Sequence, residues 1–185
     1  EVTQLVRNNP IGNILLEDEF GCASSVLTLA SRQDCVEVVG ILISRGEQVN
    51  RGDEFGRTAL FWASCNGHVE VVEMLLQANA DPRKCSKDNV YPLHEASVNG
   101  HVEVVRRLLE SEEGVEILNE KEHVVGATSL ALATMMGHRM VVEAVLAAGT
   151  DQSMCDDFGT DARQLAILNR RVDILKCLND FGPDT

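Results

Sequence analysis

The chain is poor in basic residues: 16 Lys plus Arg stand against 29 Asp plus Glu over 185 residues, a net charge of −13. Such a surface repels phosphate backbones and anionic lipid, which excludes general nucleic-acid or membrane-surface binding. Long apolar runs are also missing. A membrane-spanning helix needs about 20 consecutive apolar residues, and the runs here end after a handful. No secretory signal or lipidation motif is visible. The six cysteines, at 22, 35, 65, 85, 155 and 177, contain no C-x-x-C pair and are few for the length. Disulfide frameworks belong to short secreted chains, so free thiols in the cytoplasm, or in the nucleus, are expected.

What the chain does have is self-similarity. Gly-His-Val-Glu-Val-Val occurs at 67–72 and again at 100–105, 33 residues apart, and Gly-His-Arg-Met-Val-Val follows at 137–142. Each copy is preceded by a Leu-x-x-Ala step: Leu60 to Ala63, Leu93 to Ala96, Leu130 to Ala133. A fixed period of this size means stacked units, each too small to bury its own apolar faces.

Residues 1–16 do not begin a unit. Val2, Leu5 and Val6 have helical spacing until Asn8-Asn9-Pro10 stops it, and Ile11 to Leu16 reads as an apolar loop. They are read as a partial preceding repeat or an N-terminal cap, with the chain cut from a longer array. Five units follow, at about 17–52, 53–85, 86–122, 123–155 and 156–182. In each, a turn carrying Gly (Asp53-x-x-Gly56 in unit two) leads to a first helix and then a second. Ser24 or Ser25 can cap the first helix of unit one, Thr58 starts that of unit two, and Tyr91-Pro92 opens that of unit three. Unit three ends in an acidic insertion over 110–122, with Glu at 110, 112, 113, 116, 120 and 122. Unit five is degraded, with Arg170 in place of Gly, and reads as a polar terminal cap.

The segment Gly-x-Thr-Ala-Leu-x-x-Ala-x-x-x-Gly-His-x-x-Val-Val-x-x-Leu-Leu at 56–76, with Tyr-Pro-Leu-His-Glu-Ala at 91–96, resembles the ankyrin repeat. The resemblance covers about residues 17–182. It implies an all-α repeat solenoid of helix-turn-helix units with β-turn or hairpin fingers. Fingers and first helices would line a concave side. Partner-facing side chains in that family lie at the finger tips and on the exposed face of the first helix.

Carried to this chain, the tip positions run from Cys22 in unit one to Phe55 and Arg57 in unit two and Lys87, Asp88 and Val90 in unit three. The first-helix face gives Trp62 and Asn66, then Glu95, Val98 and Asn99, then Leu132, Met135 and Met136. Phe55, Arg57 and Trp62 are of the types that dominate interface energy, and the Met pair suits an adaptable apolar strip. Phe61 stands where the signature has His and is assigned to the core.

Chemistry has little to stand on. His68, His101 and His138 share one repeat position, which the resemblance makes structural, and zinc-ligand spacings are absent. His94 falls at the signature position that ties neighbouring fingers together in the family. Cys65 beside His68 would need mutual contact and an orienting third group to be a nucleophile. The glycines are scattered and form no phosphate loop, and Asp157-Phe158-Gly159 lacks the Lys strand and catalytic loop of a kinase. No cofactor, metal or small-molecule substrate is expected. The expected function is a non-catalytic interaction module gripping a protein segment, apolar with basic flanks, in its concave groove. The alternatives are the targeting arm of a larger enzyme and a compact enzyme inhibitor.

Overall fold

Helix starts are fixed by side chains that satisfy the otherwise orphaned first-turn donors. Thr58 accepts from the Phe61 N–H at 3.2 Å, Thr128 from Ala131 at 3.4 Å and Ser25 from Thr28 at 3.1 Å. Asp161 and Gln164 close a reciprocal capping box in unit five. In unit three the start is Tyr91, with Pro92 at the first helical position, where its missing N–H costs nothing. First helices end where the backbone turns left-handed, at Gly67 and Gly137 in units two and four.

A computed structural model describes residues 15–17 and 23–181. Five helix pairs follow in sequence order. The first helices are Val26–Arg32, Ala59–Asn66, Pro92–Val98, Ser129–Met136 and Ala162–Leu168. The second helices are Val36–Ser44, Val69–Gln77, Val102–Leu109, Arg139–Ala147 and Val172–Asp180. First helices pack on first helices of adjacent units and second on second, so the core is a continuous seam through the stack. Val72, Leu75, Val105, Leu108, Val142 and Val145 are wholly buried along it. Filling such positions with Leu is worth about 1.5–3 kcal/mol each.

The second helices are not buried all round. Each buries one stripe, while Ile41, Ile43, Leu76 and Leu109 are half-covered and Glu70, Glu103 and Arg106 meet solvent. They form the outer layer. Phe61 is in the core, 5% exposed. No helix among the described residues is long and apolar enough to cross a membrane.

Three features differ from the sequence reading. Leu15–Glu17 is a strand and not part of a loop; it pairs antiparallel with Ala23–Ser25. The helix expected near Val2–Val6 and the tip at Cys22 lie outside the described residues. The acidic insertion is not a plain connection: Ser111 caps a short helix, Glu112–Glu116, and Ile117 and Leu118 behind it are buried. Glu116 reaches Arg83 at 3.1 Å. This exposed pair is worth at most about 1 kcal/mol, so the buried Ile and Leu hold the segment. The fifth unit, finally, is not a fully polar cap, because Ile167, Leu168 and Val172 are 61%, 71% and 75% exposed.

Candidate functional site

Each finger is organised by one side chain at its base. In unit two it is Asp53, whose side chain is fully buried. One carboxylate oxygen accepts from the N–H groups of Phe55 and Arg57, both at 2.9 Å. The other accepts from Arg57 Nε at 2.8 Å and from Trp62 Nε1 at 3.4 Å. Gly56 completes the turn at φ +82°. Ser86 does the backbone part of this work in unit three, accepting from Asp88 and Val90. Glu122 does it in unit four, accepting from Val124, Val125 and Ala127, and Asp156 in unit five, accepting from Phe158 and Thr160. Glu122, read in sequence as the end of the acidic insertion, is thus the base of a finger.

Only Asp53 also holds an arginine. The Arg57 guanidinium carbon sits 4.6 Å from the Phe55 ring centroid and 4.4 Å from that of Trp62. Arg32 of unit one lies 4.5 Å from the same indole. Cations over aromatic faces gain about 0.5–2 kcal/mol each, more when desolvated. The result is a ladder of Phe55, Arg57, Trp62 and Arg32, pinned to a buried carboxylate, with Phe55 43% exposed at its tip. The sequence reading found Phe55, Arg57 and Trp62 but gave Asp53 only a turn. Arg32 carried one usable signal: it occupies the helix position that Cys65 fills one unit later.

The other expected positions are less unified. The Lys87 N–H donates to the Phe55 carbonyl at 2.8 Å, joining fingers two and three through backbone, and Lys87 and Asp88 are exposed. Val90 is half-buried beneath them. Asn66 donates to the Arg32 carbonyl at 3.2 Å, and Asn99 to the Glu95 carbonyl at 3.0 Å. Val98 is half-buried. Leu132 and Met135 pack with Val125 around buried Ala127, Ala131 and Leu165, so part of their surface is spent between units four and five. Met136 remains 51% exposed. Leu168 occupies the next position in the series Val98, Met135 and extends that strip into unit five.

The periodic histidines are tied to neighbouring units. Nε2 of His68 donates to the Arg32 carbonyl at 3.0 Å, His101 to Cys65 at 3.0 Å and His138 to Val98 at 2.8 Å. Arg171 takes this role in unit five, donating to the Met136 carbonyl at 3.1 Å. Cys65 faces Glu95, and burial first, then that carboxylate, push its thiol pKa up to about 12. It is therefore protonated at neutral pH, the opposite of an activated nucleophile. Among the described residues no three His, Cys, Asp or Glu side chains converge as a metal site.

His94 accepts from the Tyr91 N–H at Nδ1 (3.3 Å), which places its proton on Nε2 for the Glu120 carbonyl at 2.9 Å. Burial lowers its pKa from 6.5 to about 4. Above about pH 6.5 the ring is neutral in both folded and unfolded chains and adds no pH dependence. Below that the unfolded chain takes up a proton that the folded chain refuses. Stability should therefore fall by up to roughly 3 kcal/mol between pH 6.5 and 4, then level off. Urea unfolding across that range checks this, with His94→Gln expected to show a shallower loss than the parent.

Helix pairs stacked in sequence order, with finger turns along one edge, define an α-solenoid repeat protein. A comparison with protein families matches residues 2–88 and 78–154 to ankyrin repeats (three copies). The chain belongs to the ankyrin repeat family. The match ends before the fifth helix pair, which completes the stack all the same. Comparison with curated proteins finds no match. Ankyrin repeat domains are generally protein-binding modules and typically non-catalytic, and no catalytic domain is detected in this chain.

Proposed function

We propose that this domain is a non-catalytic adaptor that grips a segment of another protein along its concave face. The observation that carries the reading is the Arg57 ladder. A buried carboxylate fixes the guanidinium against two aromatic rings, so the contact surface is pre-formed and loses little entropy on binding. Aromatic and Arg side chains held this way are the usual anchors of an interface. From Val98 through Met135 and Met136 to Leu168, the same face becomes apolar.

First helices of adjacent units pack about 8–10 Å apart. The Arg57 ladder and the Met136 region, two units away, are therefore separated by about 20 Å, or roughly six residues of extended chain. The segment we infer has apolar anchors at that separation. Basic residues flanking them would complement Asp88, Glu95 and the acidic surface beyond. A cytoplasmic or nuclear setting suits the free thiols.

The test is proximity capture from cells with the parent domain and with Phe55→Ala/Trp62→Ala, each checked for folding by circular dichroism. The double variant should lose its specific partners, with affinity down about 100-fold, two hot-spot residues at about 1.5 kcal/mol each. An unchanged partner set on a folded double variant would refute this assignment.

A further inference from the structure

We propose that the open end of unit five is a second docking surface, made for an acidic amphipathic helix from another protein. The repeat itself shows which residues face the next element. Ser31, Ser64, Ser97 and Thr134 occupy one position in units one to four, and all are 0% exposed under the following unit. In unit five that position is Ile167, 61% exposed. A β-branched apolar side chain thus stands where the array elsewhere keeps a small hydroxyl residue. Val172 and Leu168 extend the apolar patch on either side.

Another ankyrin unit fits this end poorly. A Cβ on Gly67 would lie 2.5 Å from the His101 ring, on Gly100 2.6 Å from His138, and on Gly137 2.5 Å from the Arg171 guanidinium. The position under a following unit thus has no room for a side chain in three of the four internal junctions. Unit five has Arg170 there, at φ +55°. Ile167 likewise holds a covering helix farther out than ankyrin spacing.

Charge selects the occupant. Residues 161–181 hold four basic residues (Arg163, Arg170, Arg171, Lys176) and three acidic ones (Asp161, Asp173, Asp180), net +1. The rest of the chain holds 12 basic and 26 acidic, net −14. Two of the three acids point away from the open end. The position of Asp173 is exposed in every unit (Glu37, Glu70, Glu103, Met140), and so is that of Asp180 (Ser44, Gln77, Glu110, Ala147). Lys176 does face it: its counterpart Glu73 reaches forward to Arg107 of the next unit at 2.7 Å. An apolar patch rimmed by Arg170 and Lys176 fits a helix with a Leu-type stripe and carboxylates beside it. A second copy of this end would bring the same cations together and two bodies of −13 with them.

The probe is a synthetic amphipathic helical peptide with a Leu stripe flanked by Glu, compared with the same stripe flanked by Lys. Methyl NMR should show the Glu peptide shifting Ile167 and Val172 while the Trp62 indole signal stays put. Ile167→Asp, and separately Arg170→Glu/Lys176→Glu, should each weaken it by about tenfold or more. Three results overturn the proposal: equal binding of the Lys peptide, shifts at Phe55 and Trp62 instead of Ile167, or peptide-free self-association that Ile167→Asp abolishes.

Discussion

Asp53→Ala is expected to destabilise the domain by about 3 kcal/mol, seen as a lower urea midpoint. The side chain is fully buried and receives four donors, two from backbone and two from Arg57 and Trp62. Removing it leaves a partly buried guanidinium without its counter-charge and two turn N–H groups without acceptors. Each orphaned donor costs about 1–3 kcal/mol, and breaking a buried ion pair about 3–5. Refilling by water at the finger edge returns part of that total. Asp53→Ser separates the two roles. Ser86 shows that a hydroxyl serves the same turn in unit three. The Ser variant should therefore keep the finger and recover about half of the loss, while releasing Arg57. Trp62, the only tryptophan, reports this directly. Its fluorescence should change in both variants, because the indole loses its acceptor and the cation on its face.

How far the fold could be read ahead follows from what the repeat enforces. Thr58, Thr128 and Tyr91-Pro92 announced helix starts because a cap is a local matter, settled within four residues. The buried Val and Leu of the second helices recurred at fixed spacing because every junction needs the same seam. The two-stranded pairing of Leu15–Glu17 with Ala23–Ser25 could not be read this way, since three-residue strands carry almost no periodic signal. Nor could the short helix inside the acidic insertion, which depends on Ser111 and on burial of Ile117 and Leu118.

The candidate site divides along the same line. Phe55, Arg57 and Trp62 stood out as departures from the repeat, and the structure brings them into one ladder. Asp53 did not stand out, because a turn residue and an anchor for Arg57 have the same letter. Leu132 and Met135 look like free surface in sequence and are partly engaged between units, a matter of which neighbour lies above them. At the far end, degraded repeat letters read as polarity, whereas the exposed residues are Ile167, Leu168 and Val172. Degeneracy relaxes the stacking rule and does not specify what replaces it.

The stacking rule itself yields the other large effect. Gly100→Ala should cost about 3 kcal/mol, and Gly149→Ala only about 1 kcal/mol. Both glycines are left-handed, at φ +76° and +87°, where a Cβ costs about 1–2 kcal/mol. They differ in what the methyl meets. At Gly149 nothing lies within 4 Å. At Gly100 the new carbon falls 2.6 Å from the His138 ring, beside its Cγ, so the whole imidazole has to shift. That ring is held by its 2.8 Å bond to the Val98 carbonyl, the tie between units three and four. Displacing it adds a lost hydrogen bond and a stranded acceptor, about 1–3 kcal/mol, to the backbone cost. Because stability in a repeat array is a sum of unit and junction contributions, the damage should centre on that junction. Hydrogen exchange on Gly100→Ala should therefore show protection lost first around Val98 and His138. Equal losses in the two alanine variants would mean that the left-handed backbone alone keeps these positions glycine, and that the histidine tie adds nothing.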